Sequence, residues 1–301
     1  RSMFYNLIRT PNLNKEALKT IPANAVAILS LTLGGADSAQ AKAASTKIQQ
    51  ACGLDIGSQI FGNIEQITLF AAPPREMMAS QGSPIPAAVQ AFGLAITSKN
   101  PGQVHQLLTS LLTMANLLPS NTQETFSIPE SGRFDITLGN HLKFFGHTNS
   151  ANKTMVLSLN SQVVDASITT ARQDSSVVTA GALQEALATL PPATSKLVLI
   201  NVAGAIQLAS QVAQFPSEEV AAEVRKALDD LIAATPKTTL RLQTTEQDNS
   251  VSLRLSVSDM PPVKDIIGPI SKLSQVMSHT THSVWSHVGP APVAIIPTDR
   301  A

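Results

Sequence analysis

Three histidines within nine residues, His279, His282 and His287 in the run SHTTHSVWSH, are the densest concentration of reactive side chains in this chain. Imidazole is the commonest metal-ligating group, and a helix would bring His279 and His282 to one face. His287 would sit well round that helix from His282, and no acidic or thiol group flanks the run, so a zinc-type donor set is incomplete. His141 and His147 share parity and would project to one face of a strand. A metal or base role there competes with that of ordinary surface histidines, and the latter is expected. Two acidic pairs, Glu218-Glu219 and Asp229-Asp230, have the composition of a general acid and base. They share a predicted helix with Arg225 and Lys226, however, and are expected to solvate its outer face.

Gly34-Gly35 follows an apolar strand as a phosphate cradle would, but no third glycine or lysine follows in place, so a plain turn is expected. The nucleophile elbow Gly-x-Ser-x-Gly, the phosphate loop, the dinucleotide glycine pattern and His-Glu-x-x-His are all missing from the sequence. Cys52 is the single cysteine. It excludes an internal disulfide framework and a Cys-x-x-Cys site, and its expected place is a buried apolar one at a helix end. No catalytic, cofactor-binding or metal-ligating residue is assigned, and no cofactor is expected.

Composition points to contacts rather than chemistry. Of 301 residues, 43% are hydrophobic and 14% charged, against roughly 25% charged in a typical soluble domain. Ser, Thr, Gln, Asn and Ala must therefore cover much of the surface, and few charges need desolvating when it is buried against protein. A protein partner or self-association is expected. Lys plus Arg and Asp plus Glu number 21 each, with no basic stripe for a phosphate backbone, and aromatics at 4% offer no stacking platform. Nucleic acid is not an expected partner. The most continuous apolar helix, from Val104 to Leu118, is interrupted by His105, Gln106, Thr109, Ser110 and Thr113 and falls short of the ~20 residues of a membrane span. The chain opens at Arg1 rather than Met, which leads us to expect that an export signal or anchor once preceded it.

The positioning elements are legible from periodicity. A capped turn at Asn14 to Leu18 leads through Pro22 to a buried strand at Ala25 to Leu33. A helix is expected over Ser38 to Cys52, stopped by Gly53. Strands at Gln66 to Ala72 and Ala91 to Thr97 flank a surface loop, Pro73 to Pro86. Asn100-Pro101 caps a helix whose apolar face includes Val104, Leu107, Leu108 and Leu111. Arg133 to Leu138 and His141 to Phe145 form a hairpin about Gly139-Asn140, and Met155 to Leu159 adds an antiparallel strand. Helices follow at Ser161 to Arg172 and Ala182 to Leu190. Beyond Pro191-Pro192 come a strand at Lys196 to Ala203, helical segments interrupted by Pro216 with Ser217 as a cap, and a hairpin from Thr239 to Gln243 returning through Val251 to Val257.

A shift of 159 residues superposes Phe92, Leu94 and Ile96 on Val251, Leu253 and Leu255, and Asn100 on Asp259. It also sets Val104, Leu107, Leu108 and Leu111 on Val263, Ile266, Ile267 and Ile270. Upstream, a shift of about 171 aligns Ala25 to Leu33 with Lys196 to Gly204. The expected fold class is α+β with two related halves, each an antiparallel sheet with helices packed on one face in the order strand, helix, strand, strand, helix. Ser252, Arg254 and Ser256 alternate with Leu253, Leu255 and Val257, so that strand should be covered by helices on its apolar side only. The expected divisions are an N-terminal arm (1–23), a first α+β repeat with an extra hairpin (24–190), a second, shorter repeat (191–278) and an extended tail (279–301). Pro290, Pro292 and Pro297 surround Val293-Ala294-Ile295-Ile296 in that tail, which is expected to dock on its own body or a neighbouring subunit.

The phrases Leu18-Lys19-Thr20-Ile21-Pro22-Ala23-Asn24-Ala25-Val26, Cys52-Gly53-Leu54-Asp55-Ile56 and Gly62-Asn63-Ile64-Glu65 resemble segments of uncharacterised bacterial families of exported proteins, some of them common in planctomycetes. Met155 to Ser161 and the helix after it are similar to a strand and helix pair that recurs there. The resemblance implies export to a periplasmic or extracellular compartment and an α+β repeat, and supplies no catalytic residues. The expected function is that of a non-enzymatic exported structural or protein-interaction protein, such as an accessory subunit of a larger assembly. The alternatives are a small-ligand or metal binder using the cleft between halves or the tail histidines, and a hydrolase whose active site is assembled from dispersed residues.

Overall fold

In a computed structural model of the chain, the described residues are 10–33, 62–74, 87–114, 132–138, 142–213, 217–247 and 250–285, with Thr46 and Gln50 as isolated positions. For 87–88, 110–114, 138, 212, 247 and 276–285 the description is of the backbone alone. The helix expected over 38–52, most of the 73–86 loop, the tail beyond 285, and Gly34, Gly35, Cys52, His141 and His287 lie outside the described residues.

Nine strands form one antiparallel sheet: β1 (Ala27–Thr32), β2 (Ile64–Ala71), β3 (Phe92–Ser98), β4 (Gly132–Leu138), β5 (Leu142–Asn149), β6 (Thr154–Ser158), β7 (Thr194–Asn201), β8 (Thr239–Gln247) and β9 (Ser250–Ser258). Their order is β4-β5-β6-β3-β2-β1-β7-β8-β9. The α+β class is therefore present, with its strands merged into a single sheet. β1 and β7 meet antiparallel at the seam, where Leu29 faces Val198. From that seam the order reads β1-β2-β3 in one direction and β7-β8-β9 in the other, and only the first arm continues, through β6, β5 and β4.

Both faces of the sheet carry apolar rows, so helices lie on both rather than on one. On the first face, Ile28, Phe70, Ala95, Val156, Leu197 and Leu199 join Leu18 and Ile21, Val163, Val177, Leu183, Leu187 and Leu190 in one contiguous core. The covering elements are the 3-10 helix Lys15–Thr20, α2 (Ser161–Gln173) and α3 (Gln184–Ala188). Residues 10–14 are bound to strand ends, with the Leu13 N–H donating to the Thr194 carbonyl at 2.7 Å and the Asn14 N–H to Gln66 Oε1 at 2.8 Å. A buried strip of hydroxyls beside them ties β1 to both of its neighbours. Ser30 and Thr68 pair at 2.8 Å, and the Thr32 hydroxyl lies 2.6 Å from the Pro11 carbonyl and 3.0 Å from that of Ser195.

On the second face, α1 (Pro101–Met114) sets Val104 against Ile96, Met155, Phe134 and Ile136. α4 (Val202–Val212) sets Leu208 against Ala71 and Ala91. α5 (Glu218–Ala234) packs on α4, and α6 (Val263–Trp285) on α5.

Several boundaries differ from those read in sequence, β5 and β8 running on to Asn149 and Gln247, and two have a clear local cause. β7 stops at Asn201 rather than running to 203, because the Asn201 side chain accepts the Gly204 N–H at 2.7 Å and opens α4. Asn100 caps α1 as expected, accepting from the Gly102 N–H at 3.0 Å. Its counterpart Asp259 does not cap. It takes a left-handed φ of 51°, and α6 begins only at Val263, since Met260 and Pro261 each precede a proline and are steered away from helical backbone.

Candidate interaction surface

The two ends of the sheet are unlike. At one end β4 carries alternating charges: Arg133 pairs with Asp165 of α2, and Asp135 with Lys143 of β5 at 2.8 Å. Inward-turned and paired charges are a recurrent defence of an open strand edge against foreign strands. At the other end β9 has nine residues in unbroken register with β8, no proline and a single charge, Arg254. Among the described residues no strand pairs with its outer side.

Val251, Leu253, Leu255 and Val257 lie opposite Glu246, Thr244, Leu242 and Leu240 of β8, on the second face of the sheet. The sequence led us to expect helices over this row, and the structure corrects that: Leu253, Leu255 and Val257 are 70%, 65% and 47% exposed. The cause lies in α6, which has two apolar stripes. Ile266, Pro269 and Leu273 are half-buried on the α5 side, where Lys272 and Asp230 are 3.7 Å apart. Val263, Ile267 and Ile270 form the second stripe and, with Met260, remain 51–61% exposed.

The positions that the 159-residue shift aligned with this stripe are covered. Val104 and Leu107 are 2% and 4% exposed, because β6 pairs with β3 and delivers Met155, while β4 delivers Phe134 and Ile136 under α1. Among the described residues no strand follows β9, and its apolar row and the second stripe of α6 are both exposed.

The titratable residues singled out from sequence do not converge. His279 and His282 fall in α6, and their side chains, like all of His287, are outside the described residues. His147 lies on β5 opposite Arg133. Burial pushes its imidazole below the ordinary value of 6.5, and Arg172 and Arg133 push in the same direction, so it is held neutral. Glu218 pairs with Arg225 at 3.3 Å on the exposed side of α5, as a solvated helix face would. The sequence passed over His105, which is 5% exposed on α1, with Nε2 3.1 Å from the Thr148 hydroxyl and its ring edge-on to Phe134. Its only local signal was a polar residue on an otherwise apolar helical face. Among the described residues no group of three His, Cys, Asp or Glu side chains comes together to hold a metal, and no helix is long and apolar enough to cross a membrane.

Clefts open elsewhere among the described residues, and two are well defined. The larger, about 670 Å³, runs between Pro22 to Asn24, Ala72 to Pro74 and α2; its lining holds one carboxylate, Asp165, which is paired with Arg133. The smaller, about 330 Å³, lies between α3 and the start of β8, and its charged residues are Glu185, Lys237 and Asp259. Neither lining includes a histidine.

No family model, curated protein or solved structure matches this chain.

Proposed function

We propose that this chain is a non-enzymatic structural or protein-interaction protein of an exported compartment, acting as a subunit that engages protein through the β9 edge. The observation that carries this reading is the coincidence, on one strand, of an edge that no described strand pairs with and an apolar row in which Leu253, Leu255 and Val257 are 70%, 65% and 47% exposed. An exposed apolar row of this kind is often an interaction site, and an open edge supplies main-chain hydrogen bonds to an incoming strand. The low charge of the chain, 14%, supports burial against protein, and the resemblance of its strand-leading phrases to exported families supports the compartment.

The test compares tagged full-length protein with a Leu255→Lys variant in cross-linking and co-purification. Leu255 is 65% exposed, so the variant keeps its fold while placing a charge in the contact. Loss of association in the variant is the expected result. A full-length chain that stays monomeric, retains nothing and is indifferent to the substitution overturns the reading.

A further inference from the structure

We infer that the occupant of the β9 edge is a second copy of this chain, joined β9 to β9 in antiparallel about a twofold axis at Arg254. This rests on the interaction reading above and names its partner. The strand reads Ser250-Val251-Ser252-Leu253-Arg254-Leu255-Ser256-Val257-Ser258, the same in both directions. A twofold contact brings each residue before the axis against the residue equally far after it, so it demands a self-complementary surface. The palindrome meets that demand side chain by side chain: Val251 faces Val257, Leu253 faces Leu255, and Ser252 faces Ser256 of the other copy. Because pairing of this parity keeps the faces in step, both apolar rows fall on one side of the joined sheet. Val263, Ile267 and Ile270 of α6 are a further exposed apolar stripe in each copy.

The exposed apolar surface supplies about half of what a stable contact buries on each side. At roughly 100 Å² of apolar area per aliphatic side chain, seven side chains 47–70% exposed leave on the order of 400 Å² per copy. The backbone edge and the opposite-face side chains of β9 add to this, against the roughly 800 Å² per partner of a stable contact. The apolar rows and stripes contain no charge to desolvate. The single like-charge meeting, Arg254 against its own copy, falls on the opposite, solvent-exposed side, where salt screens it.

The full-length protein is predicted to be a dimer by size-exclusion chromatography with light scattering. Leu255→Lys and Ile267→Lys should each reduce the mass from two chains to one with an unchanged far-ultraviolet circular dichroism spectrum. Raising the salt concentration should tighten the dimer, and Arg254→Ser should tighten it and remove that salt dependence. In a Cys52→Ser background, Arg254→Cys should cross-link copy to copy on mild oxidation. A dimer that survives both lysine variants, or that fails to cross-link through position 254, overturns the inference. So does a full-length monomer that becomes dimeric only when residues 286–301 are removed, since that segment would then be the occupant. A monomer that binds a different protein, and loses it in Leu255→Lys, sinks self-pairing but leaves the interaction reading standing. A monomer that binds nothing and ignores the substitution sinks both.

Discussion

Phe70 and Gly93 face each other across β2 and β3, and the phenyl ring lies where a glycine Cβ would be, 2.2 Å from its Cζ. Phe134 covers Gly146 across β4 and β5 in the same way. In both cases the ring packs against bare backbone, so the absent side chain on one strand makes room for a large one on its neighbour. His147, beside Gly146, carries the residue-scale prediction. Its folded pKa lies below its unfolded value of 6.5, so the unfolded chain binds a proton first on acidification. Its stabilising contribution is complete above 6.5 and is lost as the pH falls toward the lowered folded value. The urea midpoint of the wild type should decline more steeply from pH 7.5 to 5 than that of His147→Gln; parallel profiles would refute the assignment. What was legible at this scale was local. Asn14, Asn100 and Ser217 were recognisable as caps because a cap and the N–H it accepts are two or three residues apart. His105 was not recognisable as a buried partner, because Thr148 is 43 residues away and nothing in the helix itself points to it.

Among the elements, α4 shows how one side chain sets a boundary. Asn201 is the last residue of β7 and the cap of α4, and it is 4% exposed. Asn201→Ala is expected to cost about 1 kcal/mol, within the usual 0.5–2 kcal/mol for a lost cap, read as a lower urea midpoint at constant denaturant dependence. No change in midpoint would show that the Gly204 N–H finds another acceptor. The strand alternation of β9 was plain in its residues, and so was the apolar face of α6. Which stripe of a two-striped helix meets its neighbour is decided by the rest of the fold, and here α5 took the stripe of Ile266, Pro269 and Leu273. The expected cover over Leu253, Leu255 and Val257 failed for that reason. The helix stayed where α5 holds it, and β9 gained no further strand to bring it down onto the sheet.

For the whole molecule, the seam between β1 and β7 matters most. The strand order runs outward from it on both sides, yet the core does not divide there. Ile28 and Phe70 from one side and Leu197 and Leu199 from the other belong to one cluster. Leu199 is fully buried, and Leu199→Ala is expected to cost about 2–5 kcal/mol. Hydrogen exchange should show the loss equally in β2 and β8, on opposite sides of the seam. Loss confined to β7 and β8 would mean that the two sides unfold independently. The strands themselves were readable from composition, but their neighbours in the sheet were not, because pairing between residues 27–32 and 194–201 is a long-range choice that neither segment encodes alone.

The unlike ends of the sheet set a ceiling on growth. A strand order with two open margins would let copies add one after another into a fibre. Here one margin carries Arg133 and Asp135, each held in an ion pair, and a strand arriving there would have to desolvate them, so self-pairing through β9 would favour a closed pair of chains over a growing fibre.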